Sequence, residues 1–529
     1  MLDGPVTGTL NLPPGPSRRM LKGGAANATA YCVSARKGLK TPPLSPLNET
    51  MASGAHQPGI WPRRATPPSL KKSKLTGEGV AASRGAVDHA EPHRGRGRFL
   101  GTKRPKLSTS ALIVTLAATT YNAVLAFVNA HGPAVGKSLV IGTELMILAW
   151  TAFFVVRAGR QRSDSLAFLM LALFVIDALF VSLLSGEVFI DMARNGAIMA
   201  LFMLLGARID EASLKRCFLV AAALVAAVLL LEIISVETYA KQLAPALYYE
   251  RTRGFAHFEF DELGLFPNAL GFEGRFSISN IVGHRTSSLF LEQVSLANFS
   301  SILVAYLAGM GNRIERSHRI FLVVLVIMIL VTNNTRTGIA IALAGPVLYL
   351  FGPKLMNYLT LTIAPLILAI GTAVVAFLPR STGDDFVGRT DLTMLALKDV
   401  NFMAIIGARA PMATSFADSG YTYILYSTSF VGAMLLWLLI SLVLNGPKGG
   451  VEQQRCGMIV ALYIFINLLI SGTGAFSIKT AALLWLLIGF LRNASQESAV
   501  LLDRPSAGGS EPTVVSAQVA TPMRSIRVQ

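Results

Sequence analysis

Residues 216–236 read RCFLVAAALVAAVLLLEIISV, an apolar run that a single acid, Glu232, interrupts near its end. A membrane-spanning helix requires about 20 predominantly apolar residues, and this stretch supplies them. The whole chain shares this composition: 52% of its 529 residues are hydrophobic and 15% are charged. Soluble proteins carry about 25% charged residues. The sequence therefore predicts an all-α polytopic membrane protein and argues against a soluble enzyme.

Twelve apolar runs between residues 108 and 491 predict the transmembrane helices of one membrane domain. The predicted spans are 109–130, 138–156, 166–184, 188–206, 216–236, 290–310, 320–333, 336–353, 358–378, 421–444, 456–472 and 475–491. Two long segments, 237–289 and 379–420, separate some of these spans. Both contain aromatic and charged residues, so they are predicted to be folded functional loops.

The two ends of the chain differ from the membrane domain in composition. Residues 1–107 contain 18 lysines and arginines and five acids, and so carry +13 of the net charge of +17. Their Pro, Gly and Ser content predicts a disordered tail. The basic run Arg94–Lys106 is interpreted as an anchor beside anionic lipid, and no nucleic-acid partner is expected. Residues 492–529 are predicted to form a second disordered tail.

The lysines and arginines of the short loops predict the orientation of the spans. Such residues concentrate on the cytoplasmic side of membrane proteins. Here twelve of them fall on the side of the basic tail: Arg157, Arg160, Arg162, Arg208, Lys215, Arg216, Arg313, Arg316, Arg319, Lys354, Lys448 and Arg455. Both termini are therefore predicted to be cytoplasmic, and the loops 237–289 and 379–420 to lie on the opposite face.

Cations on that opposite face run against the same rule, so they require a reason. They include Arg251, Arg253, Arg275, His284, Arg285, Arg336, Arg380, Arg389 and Arg409. Acids in the same loops make a local ion pair the simple alternative for any one of them. Several arginines together suit an anionic lipid headgroup, because the guanidinium binds phosphate oxygens with two parallel hydrogen bonds.

Three positions in or beside the spans could carry chemistry. His284 is a candidate general base, although an interfacial histidine can also be an amphipathic anchor. Glu292 is predicted to lie inside a span, seven residues after Arg285 and on the same helical face. Arg336 lies in the segment Asn333–Gly338, which could equally be a tight capped turn.

Further acids within predicted spans keep a transporter as an alternative. Glu144, Asp177 and Glu232 are of the kind that form proton relays. Asp191 and Arg194 are spaced to neutralise each other on one helix. No cysteine or histidine spacing suits a zinc site, and no cofactor or metal is expected.

Three motifs, in order along residues 108–491, resemble the bacterial O-antigen ligase/polymerase superfamily. They are Arg285-Thr-Ser-Ser-Leu-Phe-Leu-Glu292, Thr335-Arg336-Thr-Gly338 and the segment Asp418–Gly432. Wzy-type polymerases of this superfamily carry an Arg-x10-Gly signature in each large loop, and Arg253 with Gly264 and Arg409 with Gly420 have that spacing. The ligases often show a His-Pro-Asn-like stretch where this chain has His284-Arg285-Thr286. The resemblance therefore favours a polymerase, with a ligase as the alternative.

This resemblance implies a glycosyltransferase of the bacterial inner membrane that works without a metal at the periplasmic face. The donor would be a glycan on undecaprenyl pyrophosphate, and the acceptor another lipid-linked repeat unit, or lipid A–core for a ligase. A flippase and a chain-length regulator would be partners. The predicted catalytic residues are His284, Glu292 and Arg336. The predicted substrate-binding residues are Arg253, Arg275, Arg285, Arg389 and Arg409.

Overall fold

The computed structural model describes residues 108–255, 263–266, 269, 282–381, 385–416, 418–445 and 450–502. The predicted tail 1–107, Arg275 and residues 503–529 lie outside this part of the chain. The described part of the chain contains helices and no strands, which confirms the all-α prediction.

The helices follow one another with short connections, except in the two long loops. Their bounds are α1 Ser108–His131, α2 Lys137–Arg157, α3 Ser165–Ser185, α4 Asp191–Gly206, α5 Glu211–Ile234, α6 Val236–Leu243, α7 Pro245–Arg253, α8 Gln293–Met310, α9 Arg316–Asn333, α10 Arg336–Phe377, α11 Phe386–Lys398, α12 Phe402–Ile405, α13 Gly420–Leu444, α14 Val451–Ile470 and α15 Ile478–Leu502. Helices α6 and α7 belong to the first loop, and α11 and α12 to the second. Helix α15 continues into the segment predicted as a disordered tail.

Ten helical segments in the described residues have the length and hydropathy of membrane spans. They are α1, α2, α3, α5, α8, α9, the two halves of α10, α13 and α14. The other two predicted spans correspond to α4 and α15. Helix α4 has 16 residues, which gives a length of only about 24 Å. The apolar part of α15 is also short, because Lys479 and Arg492 bound it. The chain is a many-helix membrane protein.

Helix α10 contains two predicted spans in one helical segment, yet its contacts show that it reverses direction. At its start, the hydroxyl groups of Thr337 and Ser471 lie 3.2 Å apart, just beyond the end of α14. Gly352 packs against the first turns of α14, and Gly371 packs again near its end, against Leu469. The two halves of α10 therefore run antiparallel along α14, as two successive spans would.

Helix α15 is the centre of the bundle. The residues from Ala481 to Leu487 have no exposed surface. The helix crosses α4 at a pair of glycines, where a Cβ on Gly206 would overlap the Leu486 carbonyl oxygen and a Cβ on Gly489 would overlap that of Met203. Small residues at such crossings let helix backbones touch, which is a common way to pack helices in a membrane.

The first loop is folded onto the ends of the helices by an aromatic cluster. Tyr239, Tyr248 and Tyr249 are buried there, and each hydroxyl has a partner. The hydroxyl of Tyr248 donates to Asn122 of α1 at 2.8 Å, and that of Tyr239 donates to the Ser288 carbonyl at 2.8 Å. These anchors fix the position at which the chain leaves the loop and enters α8.

The bundle has two distinct ends. Glu292, Ser471 and Lys479 lie at one end of the bundle. Both long loops return to this end, which we call the loop end. At the other end, the buried carboxylate of Asp164 binds the guanidinium of Arg208 through both oxygens, at 2.9 and 2.5 Å. This pair joins the start of α3 to the end of α4.

Candidate functional site

A polar pocket of about 120 Å³ lies at the loop end, between the starts of α8, α10 and α11 and the end of α14. Three of the predicted arginines line it: Arg285, Arg336 and Arg389. Arg285 leaves the first loop, whereas Arg389 belongs to α11 in the second loop. The structure therefore brings cations from both long loops to one site, which we call the polar pocket.

The chain that carries Arg285 is held by a buried carboxylate on α5. Glu232 accepts hydrogen bonds from the backbone N–H groups of Ser287, at 3.0 and 3.1 Å, and of Ser288, at 2.7 Å. A buried charge of this kind is tolerated because its lone pairs are satisfied. Glu232, which sequence analysis treated as a possible relay acid, therefore fixes the backbone just after Arg285.

Asn333 at the end of α9 is the second anchor of Arg285. Its side-chain amide donates to the carbonyl oxygens of Thr286, at 2.5 Å, and Gln293, at 3.0 Å. The backbone carbonyl oxygen of Asn333 accepts a hydrogen bond from Nε of Arg285 at 2.9 Å. The Arg285 side chain is thus tied to the α9–α10 connection, and its two terminal nitrogens extend beyond this bond.

Arg336 is the first residue of α10. Two residues earlier, Asn334 has a φ of 53°, a left-handed conformation that ends α9 and lets α10 begin after a single turn. The residues Asn334–Thr337 all line the polar pocket, so the N-terminus of α10 faces it. The first N–H groups of a helix have no partner within the helix and attract anions. The turn predicted at this position is present, and it also forms part of the pocket.

Two aspartates line the polar pocket beside the arginines. Asp418 lies 3.1 Å from Arg389 and is 72% exposed. Asp385 caps α11, and the N–H of Gly388, the hydroxyl of Ser381 and the charge of Arg336 lower its pKa. Three cations and two anions give the pocket a surplus of positive charge.

Two buried amides complete the wall of the polar pocket. Asn298 of α8 and Asn467 of α14 line it and are almost fully buried. The nitrogen of Asn298 and the oxygen of Asn467 have no hydrogen-bond partner. Buried polar atoms normally have one, so these two amides are exceptions within the wall of the pocket.

His284, predicted as a catalytic base, is not in the lining of the polar pocket. It is 8% exposed, and its Nε2 lies 3.4 Å from Glu232. That carboxylate could not be located from sequence, since it lies in the preceding span. In this geometry His284 packs beside the segment that carries Arg285, and its role as a base stays a prediction.

Glu292, the other predicted base, is held between two cations. Its carboxylate is 2.6 Å from Nζ of Lys479 on α15 and 3.4 Å from Arg253 on α7. Burial alone would raise the pKa of Glu292, but Lys479 and Arg253 reverse this and hold the pKa well below its usual range. A carboxylate with such a low pKa is a weak base. Glu292 precedes α8 by one residue, so it also lies outside the span in which it was predicted.

Arg253 and Arg409, the other predicted residues that the structure describes, are not in the lining of the polar pocket. Arg253 pairs with Glu292 and stacks on the Tyr249 ring, at 4.6 Å from its centroid. Arg409 is exposed and is not in the pocket lining, so its role in substrate binding stays a prediction. Gly420 follows Arg409 at the signature spacing. Packing explains why a glycine stands there, because a Cβ would meet the backbone of α14.

Sequence reasoning missed Asn298, Asn467, Asp385 and Lys479. Lys479 carried a usable signal, since an ionisable residue beside an apolar run needs a partner. The asparagines within predicted spans carried a weaker signal of the same kind. Nothing in the sequence distinguishes Asp385 from the other acids of the second loop.

An apolar cleft of about 330 Å³ lies between the second half of α10, α11, α13 and α14. Its lining is made of aliphatic and aromatic side chains, among them Leu397, Tyr421, Phe430, Trp437 and Leu468. Leu468 directly follows Asn467 of the polar pocket, so α14 contributes to the walls of both cavities. No family model, curated protein or solved structure matches this chain.

Proposed function

We propose that the protein is a polysaccharide polymerase that joins repeat units carried on undecaprenyl pyrophosphate. The observation that carries this proposal is the meeting of Arg285, Arg336 and Arg389 with the N-terminus of α10 in one pocket. Guanidinium groups and helix N-termini both favour phosphate oxygens. The pocket therefore suits the pyrophosphate of a lipid-linked glycan.

The apolar cleft supports a lipid carrier. A prenyl chain must remain in an apolar environment while its pyrophosphate is bound by polar groups. The cleft shares α14 with the polar pocket and is lined by aromatic and aliphatic side chains. In this proposal the head of the ligand occupies the polar pocket and its tail the cleft.

The chemistry is a displacement at the anomeric carbon. The acceptor hydroxyl oxygen forms a bond to that carbon while the bond to the pyrophosphate oxygen breaks, and undecaprenyl pyrophosphate leaves with the electron pair. The arginines offset the charge that grows on the leaving group, a type of stabilisation in which one donor is worth about 10²–10³ in rate. The hydroxyl proton passes to a carboxylate in the pocket. Both carboxylate oxygens of Asp385 already accept hydrogen bonds, from the Ser381 hydroxyl and the Gly388 N–H, so we assign this step to Asp418.

The cellular setting follows from the same proposal. We place the protein in the bacterial inner membrane with twelve spans, both termini cytoplasmic and the loop end periplasmic. A flippase would deliver the donor, and a chain-length regulator would act on the product. A ligase of the same superfamily would use the same donor pocket with lipid A–core as acceptor, and the nature of the product distinguishes the two.

The experiment uses cells of the source organism that lack the chromosomal gene and express variants at matched levels. Wild type should restore long polymer, whereas Arg336→Ala and Arg389→Ala should leave single repeat units on the lipid carrier. Arg409→Ala is the matched control, because this arginine lies in the same loop but outside the pocket. Normal polymer from both pocket variants would refute the proposal, and transfer of preformed polymer to lipid A–core would identify a ligase.

A further inference from the structure

Helix α13 is interrupted inside its membrane-spanning length. Ser429 has a φ of 79° and a ψ of 166°, which separates a helical part 420–428 from a second part 430–444. This conformation is strained for every residue except glycine, and such outliers concentrate at functional sites. Ser429 is buried, so the surrounding structure holds the break in place.

The carboxyl group of Asp177, on α3, faces this break. Its Oδ1 accepts a long hydrogen bond of 3.4 Å from the Ser429 hydroxyl, and its Oδ2 is buried without a hydrogen-bond partner. A Cβ on Gly432 would come within 2.5–2.7 Å of the carboxyl atoms. Asp177 is 9% exposed. The carboxyl group therefore packs directly on the α13 backbone just after the break.

The elements packed around Asp177 provide no cation for it. Helix α13 and the turn 410–416 contain no charged residue. Helix α4 contributes Asp191, which accepts a hydrogen bond from the Tyr423 hydroxyl at 3.2 Å. It also contributes Arg194, which pairs with Glu144 of α2 at 3.7 Å instead of with Asp191. Among the described residues, no ion pair neutralises Asp177.

A buried carboxylate without a counter-charge is unstable in a membrane, and taking up a proton removes the charge. The second loop rests on the same place. Gly407, with a φ of 86°, packs between Val181 of α3 and Ser429. A change of charge at Asp177 would therefore act on a contact that joins the break to the loop.

We propose that Asp177 and the break at Ser429 form a proton-binding site that controls the position of the second loop. With the proton bound, the neutral carboxyl group fits against Gly432, and the loop stays seated through Gly407. When the proton leaves to water, the carboxylate requires hydration, which separates Ser429 from Gly407 and lifts the loop. This site is independent of the polysaccharide chemistry proposed above.

The test measures the exposure of the second loop as a function of pH. A cysteine replaces Met403, which is 51% exposed in that loop, in a full-length protein whose Cys32, Cys217 and Cys456 are alanine. A second protein carries the cysteine at Phe255 in the first loop instead, as the matched control. Labelling by a membrane-impermeant maleimide, taken as the ratio of the two sites, should rise several-fold with pH in the wild-type background. The ratio should be constant in Asp177→Asn, which is isosteric and neutral.

A second neutral variant, Asp177→Ser, keeps the test decisive if Asp177→Asn does not fold. The infrared band of a protonated carboxyl group, present at low pH in wild type, should be missing in either variant. An unchanged rise of the labelling ratio in both variants would overturn the proposal. A ratio that follows the concentration of sodium or potassium at constant pH, and not the pH, would overturn it in favour of a metal-cation site.

Discussion

Replacement of Lys479 by Met tests the ionic contact that joins the start of α8 to α15. The ammonium group is buried and lies 2.6 Å from the carboxylate of Glu292. Methionine preserves most of the length and apolar stem of the side chain but removes the charge. The variant therefore leaves Glu292 with one cation, Arg253, whose side chain is 42% exposed.

The expected loss of stability follows from this geometry. Removing one partner of a buried ion pair costs about 3–5 kcal/mol, because the other charge remains buried. Since Arg253 still lies 3.4 Å from Glu292, we expect the lower end, about 3 kcal/mol. The double variant Lys479→Met with Glu292→Gln contains no uncompensated carboxylate, so it should recover more than half of the loss.

The pH dependence provides a second readout. The folded protein lowers the pKa of Glu292 below its unfolded value of about 4.3. The stability that this provides is fully present above that pH and is lost as the pH falls through the folded pKa. In Lys479→Met the pKa is lowered less, so the stability gap between wild type and variant should narrow below a pH of about 4.3.

Thermal unfolding of the purified protein in detergent, at one scan rate and at several pH values, measures both effects. Equal stability of the single and double variants would refute the reasoning about an uncompensated charge. A gap that stays constant as the pH falls would show that Lys479 does not act through Glu292.

Further substitutions test other parts of the structure. Arg336→Ala should slow polymer formation about 10²–10³-fold, and Arg336→Lys should recover only part of it, because lysine lacks the bidentate fork; single-turnover assays with extracted lipid-linked repeat units measure this. Gly489→Leu should prevent accumulation in the membrane, measured by immunoblot, because its side chain would overlap the α4 backbone. Arg208→Leu should destabilise the protein by about 3–5 kcal/mol in thermal unfolding, and Arg208→Leu with Asp164→Leu should recover most of this.

The membrane spans could be predicted because lipid imposes a simple requirement on composition. The run 216–236 corresponds closely to the observed helix Glu211–Ile234. Helices α4 and α15 satisfy the requirement poorly, because protein surrounds much of their surface and replaces the lipid. The folding of the first loop was predictable only in outline. Tyr248 and Tyr249 indicate that the loop has an aromatic core, but the sequence does not show which helix this core packs against.

The candidate site was predictable where a residue ran against a general rule. Arg285 and Arg336 stood out because positive charge is unusual on the face opposite the basic tail. Arg389 and Arg409 stood out equally, and the sequence could not rank them, because the orientation of α11 depends on packing. The surroundings of His284 could not be predicted for a related reason, because its partner Glu232 lies in the preceding span.

The break in α13 shows a different limit of sequence reasoning. The segment Ser427-Thr428-Ser429 contains no proline or glycine, the usual signals of an interrupted helix. Serine and threonine side chains compete for backbone hydrogen bonds, which is a weak signal that many continuous helices share. Only the partner on α3, Asp177, makes the break informative, and that contact is long-range.

Charge at the loop end is divided between two systems with different roles. On the side of α15, Lys479 and Arg253 neutralise a carboxylate that is mostly buried, so that network is structural. In the polar pocket, Arg389 pairs with Asp418, whose carboxylate is largely in water. A pair of this kind contributes only about 0–1 kcal/mol, so a pyrophosphate can replace Asp418 as the partner of Arg389. The same exchange would release the Asp418 carboxylate beside the bound donor, where the proposed transfer requires a group to accept the hydroxyl proton.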